Sequence, residues 1–161
     1  MNRAWVKKWG AERPSWTLNL ISCFELSLTV LVMLIMMPGA GVFARALGVA
    51  QEKILLGAGL LVAAAVLIDG VAWSAAVGVA LAHHGRRVGR VLASALWAPL
   101  LAAVAAGLIV LGQGVLALLK IEAAGSLDFW LVWAALTAAV SLGRLIGWAT
   151  AAAIAKWHLK D

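Results

Sequence analysis

Apolar positions in this chain follow neither the two-residue alternation of a half-buried strand nor the single stripe of a surface helix. They come in four long, nearly unbroken runs. The first extends roughly from Trp16 to Met37 and is closed by Pro38-Gly39. The second runs from about Ile54 to Ala82, the third from about Leu92 to Leu118 and the fourth from about Phe129 to Ala155. Each reaches the ~20 residues an α-helix needs to cross the hydrocarbon of a bilayer. The last three exceed that length and are expected to tilt or project beyond the lipid. Spanning β-strands would be runs of ~9–11 residues with strict alternation, a pattern not seen here. The predicted fold is therefore all-α: a polytopic membrane protein with a four-transmembrane-helix bundle over residues 15–161. The connections, Gly39–Lys53, His83–Arg90 and Lys120–Asp128, are short enough to make consecutive helices antiparallel neighbours.

The opening stretch "MNRAWVKKWGAER" differs from the rest. Trp5 and Trp9 share a helix face, and Lys7, Lys8 and Arg13 are placed to reach lipid phosphates. Residues 1–14 are predicted to be an interfacial amphipathic segment. Pro14 breaks it, and Ser15 is positioned to cap the first span. Reading this region as a cleaved signal peptide is disfavoured, because its apolar core would be too long and would contain Glu25.

Composition strengthens the membrane reading. Of 161 residues, 65% are hydrophobic and 12% charged, the latter about half the share usual in soluble domains. The net charge of +6 would raise the question of nucleic acid in a soluble chain. Here the basic residues gather at span ends, so lipid rather than nucleic acid is the expected partner. Nine Lys and Arg (Arg3, Lys7, Lys8, Arg13, Arg86, Arg87, Arg90, Lys156 and Lys160) fall on one side, against Arg45, Lys53 and Lys120 on the other. The positive-inside rule then puts both termini in the cytoplasm. The richness in Ala, Gly and Leu points to a bacterial inner (plasma) membrane. Cys23 is the sole cysteine, which excludes an internal disulfide and a Cys-based metal cluster.

Three charges interrupt the runs near their midpoints: Glu25 in "ISCFELSL", Asp69 in "VLIDGVAW" and Arg144 in "AVSLGRLIGWAT". At ~1.5 Å rise per residue they lie within a few Å of one depth. A charge at a helix centre costs ~2.5–3.5 kcal/mol on insertion scales, so all three are expected to face inward. A guanidinium can hold two carboxylates, and the expectation is a buried Glu25/Asp69/Arg144 ion cluster. Ser22 and Thr29 share the face of Glu25, and Thr137 and Ser141 that of Arg144; these hydroxyls would support the network.

Small residues recur every four positions in two spans: Gly70, Ser74 and Gly78 in the second, Gly143 and Gly147 in the fourth. Such stripes let backbones approach closely and predict that these two helices pack tightly, with each other or against a partner chain. Arg86, Arg87 and Arg90 in "HHGRRVGR" offer a basic turn for anionic lipid head groups. His83 and His84 point about 100° apart on a helix, with no matching histidine on a neighbouring span. No metal and no cofactor is expected. With no Ser–His–Asp set or carboxylate cage, neither is enzymatic activity. The expected function is an accessory or assembly subunit of a larger inner-membrane complex, bound to other membrane subunits or to itself. The alternative is an oligomeric proton-coupled transporter or channel of small solutes, with Glu25 and Asp69 exchanging protons.

Overall fold

The computed structural model describes residues 12–121 and 127–158. Most of the expected interfacial segment, residues 1–11, lies outside the described residues. The described chain is helical throughout, as α1 (Pro14–Leu47), α2 (Gln51–His83), α3 (Arg90–Ala95), α4 (Ala98–Leu118) and α5 (Phe129–His158). Counting α3 and α4 as one broken rod, four helices are long and apolar enough to cross a membrane.

The first connection differs from expectation. Pro38-Gly39 does not close the first helix; α1 continues to Leu47 over 34 residues, about 51 Å at helical rise. Proline removes one helical N–H, a loss that a helix packed against neighbours tolerates. Met37 and Ala40 on either side of it are fully buried. The stop falls instead at Gly48, whose φ of 64° turns the chain left-handed, a conformation glycine adopts without a Cβ penalty. Its amide donates to the Ala44 carbonyl, and so does that of Val49, at 3.1 Å. The α1–α2 link is thus three residues long, Gly48 to Ala50.

The third apolar run is also modified. Pro99 lacks the N–H that would bond the Ala95 carbonyl, and the helix breaks at Leu96-Trp97. Trp97 N–H bonds the Ser94 carbonyl at 3.2 Å in a tighter turn before α4 resumes. The fourth run opens on a side-chain cap. Asp128 Oδ1 accepts the amides of Trp130 and Leu131 at 2.7 and 3.2 Å.

The most extensive contact is between α2 and α5. The two small-residue stripes meet there in register. A Cβ on Gly143 would lie 3.0 Å from the Leu67 carbonyl oxygen and 3.1 Å from Gly70 Cα. One on Gly147 would lie 2.5 Å from Ser74 Cβ, and one on Gly78 would lie 2.4 Å from Ala151 Cβ. Apolar layers fill the rest. Leu18, Val77, Leu81 and Val91 pack where α1 begins and α2 ends. Leu26, Val66, Ala102 and Val140 form a middle layer, and Met33, Met37, Leu55 and Ile109 lie toward the other end. Outer faces carry exposed Phe24, Leu31, Ile35, Leu60, Leu61 and Leu111. That surface suits lipid and not water. Trp16, Trp130 and Trp157 are exposed near helix ends, as expected of interfacial anchors.

Candidate functional site: a sealed arginine and two open carboxylates

Arg144 projects from α5 into the bundle and is 1% exposed. Gly143 and Gly147 hold α5 against α2, which sets the position of the arginine between them. Nη1 donates to Asn19 Oδ1 at 2.9 Å and to the Ser94 carbonyl. Nη2 donates to Ser22 Oγ at 2.8 Å and to the Leu18 carbonyl at 3.3 Å. One side chain thereby joins α5 to α1 and to the end of α3. All four acceptors are neutral oxygens.

Ser94 is available because of the helix break. In an unbroken helix its carbonyl would be engaged by the amide four residues on. The Pro99 break leaves it a looser bond to Trp97 and free capacity for the guanidinium. Ser94 is itself completely buried, and its hydroxyl donates to the Val91 carbonyl at 2.5 Å. Trp133 Nε1 braces the same break from α5, donating to the Pro99 carbonyl at 2.9 Å. Asn19 and Ser94 carry no charge that would mark them as site residues in the sequence. The available signals were Asn19 three residues before Ser22, on one helix face, and Ser94 five residues ahead of a mid-span proline.

The expected three-way ion cluster is not formed. Among the described residues no Lys or Arg nitrogen lies within 4.0 Å of a carboxylate oxygen of Glu25 or Asp69. The physical reason is helix rotation. Gly70 faces the Gly143 backbone, and a neighbouring residue points about 100° away. Asp69 is consequently exposed on the outer side of α2. Glu25 is half-buried, and its Oε1 is buried without a hydrogen-bond partner. The arginine instead reaches Leu18, Asn19 and Ser22; even Ser22, the nearest of these along α1, is three residues, about 4.5 Å of rise, before Glu25.

The expected supporting hydroxyls divide likewise. Ser22 joins the arginine, but Thr29 Oγ1 turns back onto the Glu25 carbonyl at 3.0 Å. Thr137 Oγ1 is buried without a partner, and Ser141 is half-buried on α5. Arg86, Arg87 and Arg90 lie exposed at the turn between α2 and α3. His84 beside them donates from Nδ1 to the Ala80 carbonyl at 2.8 Å, ending α2.

What Glu25 and Asp69 share is a furrow between α1 and α2. A 520 Å³ cavity there is lined by both acids with Leu20, Ile21, Cys23, Phe24, Ser27, Leu28 and Trp73. A second, of 160 Å³, continues past the acids among Leu28, Thr29, Val32, Val62, Ala65 and Val66. Two carboxylates thus stand in an apolar channel along the outside of the bundle. No group of three or more His, Cys, Asp or Glu among the described residues is placed to hold a metal ion.

A bundle of four membrane-length helices, pinned by a sealed arginine and with acids on its flank, fits an integral membrane protein. Comparisons with known protein families, with curated proteins and with solved structures find no significant match for the chain.

Proposed function

We propose that this protein is an accessory or assembly subunit of a larger membrane complex, in a bacterial inner membrane with both termini cytoplasmic. The supporting observation is the separation of its mid-span charges. Both Nη atoms of Arg144 are bonded to neutral oxygens inside the bundle, while Glu25 and Asp69 open sideways with no Lys or Arg nitrogen of the described residues within 4.0 Å. An ionised acid facing acyl chains costs ~2.5–3.5 kcal/mol, so a chain bearing two is stabilised by whatever covers them. A subunit whose buried arginine is bonded within the bundle while two acids lie open on its flank is built for lateral association.

The test is affinity purification of the tagged protein in mild detergent. A second membrane protein in stoichiometric amount is the expected result. A clean homo-oligomer instead would favour the other reading, an oligomeric transporter in which the furrow's two acids exchange protons. That reading requires pH-dependent flux in reconstituted vesicles, abolished by Glu25→Gln and Asp69→Asn with the fold intact.

A further inference from the structure

From the geometry we infer that the α1–α2 furrow is the seat of one transmembrane helix of a partner protein, and that this helix carries a lysine or arginine at mid-depth. The inference rests on the assembly reading and specifies its partner. Shape comes first. From Leu20 to Val32 along α1 the two cavities extend over twelve residues, about 18 Å of rise. That is more than three helical turns of continuous apolar groove, the footprint of a helix lying alongside. The acids stand partway along it, with an apolar stretch on either side.

Charge decides what kind of helix fits. Glu25 Oε1 is buried without a donor, and no Lys or Arg nitrogen of the described residues lies within 4.0 Å of either carboxylate. A second copy of this chain, meeting the first across a two-fold axis through this face, would bring its own Glu25 and Asp69 to the same place. Four carboxylates would then face one another in lipid, where like charges repel least screened. A purely apolar helix would leave both acids unpaired. A helix with one basic residue supplies the missing donors, and two carboxylates can accept from a single ammonium or guanidinium.

Cys23 makes the test direct. It is exposed, lines the furrow and is the only cysteine in the chain. The full-length protein in lipid nanodiscs is mixed with Leu/Ala transmembrane peptides carrying a central lysine with one cysteine beside it. Matched peptides carry leucine or glutamate in place of the lysine. Mild oxidation traps any peptide seated in the furrow as a disulfide to Cys23. The lysine peptide is expected to cross-link at least about tenfold more efficiently than the leucine peptide, a factor equivalent to ~1.4 kcal/mol.

In the Glu25→Gln/Asp69→Asn variant this preference is expected to vanish. Neither carboxylate bonds within the bundle, so that variant should fold, and unchanged tryptophan fluorescence verifies it. Equal trapping of lysine and leucine peptides overturns the inference. It does so even if a stoichiometric partner co-purifies, which then docks on another face and leaves the assembly reading standing. Preference for the glutamate peptide also overturns it, in favour of acids sharing protons between copies. A lysine preference with no co-purifying partner supports the site and counts against the assembly reading alone.

Discussion

Replacing Arg144 by methionine isolates the contribution of the sealed guanidinium. Methionine is flexible enough to occupy much of the vacated channel, so the main loss is hydrogen bonding and not cavity formation. Two of the four acceptors, the carbonyls of Leu18 and Ser94, have backbone donors within their own helices or turn. Asn19 Oδ1 and Ser22 Oγ are left as side-chain oxygens facing an apolar group. In soluble proteins an orphaned buried acceptor costs ~1–3 kcal/mol, whereas side-chain bonds inside membranes average ~0.6 kcal/mol. Two orphans near the lower end of the first range give about 2 kcal/mol of destabilisation for Arg144→Met. The triple variant Arg144→Met/Asn19→Leu/Ser22→Ala removes donors and acceptors together and should return to within about 1 kcal/mol of wild type. Unfolding in mixed micelles with increasing SDS, followed by tryptophan fluorescence, measures both; Trp73 and Trp148 pack against the layer that begins at Leu18. Wild-type stability in Arg144→Met would refute the reasoning. So would a triple variant less stable than the single one.

Four further outcomes follow from the same geometry. Gly147→Ala puts a methyl 2.5 Å from Ser74 Cβ and 2.7 Å from the Val71 carbonyl oxygen, and should cost ~1–3 kcal/mol by overpacking. Gly107→Ala meets nothing within 4 Å and should be neutral or gain up to about 1 kcal/mol, both read by the same SDS titration. Pro99→Ala lets the third rod close its helix and withdraws the Ser94 carbonyl; a loss of about 1 kcal/mol is expected in wild type but not in the Arg144→Met background, as a double-mutant cycle would show. Glu25→Gln/Asp69→Asn should leave the stability of the isolated protein unchanged or raised, since neither carboxylate bonds within the bundle; a loss above about 1 kcal/mol on unfolding would contradict this.

The sequence carries some of these features openly and others not at all. Four apolar runs of spanning length translate directly into four membrane-length helices, because a lipid-sized rod needs nothing subtler than twenty apolar residues. The close approach of α2 and α5 is partly visible, since Gly70, Ser74 and Gly78 repeat at the spacing of Gly143 and Gly147, but that spacing fits a partner chain as well and fixes no register. Helix rotation is not visible in the sequence: charges near the midpoints of three apolar runs need not point at one another. A glycine contact beside Asp69 is enough to turn that carboxylate out of the bundle. The Ser94 acceptor is a backbone oxygen released by Pro99, and residue identities do not advertise backbone groups. Pro38-Gly39 resembled a stop because proline ends helices in water; packed among Met37, Ala40 and their neighbours it does not. Asn19 is neutral and nothing in its residue type marks it beside three formal charges, yet it holds the arginine and the acids do not.

The most direct test of this separation is solid-state NMR on the protein in lipid bilayers. Guanidinium nitrogens of Arg144 are labelled with ¹⁵N, and the carboxyl carbons of Glu25 and Asp69 and the carbonyl carbon of Ser94 with ¹³C in turn. Dipolar coupling between Arg144 and Ser94 is expected to be strong, with no coupling of hydrogen-bonded strength to either carboxyl carbon. Strong coupling from Arg144 to Glu25 or Asp69, with none to Ser94, would contradict the account.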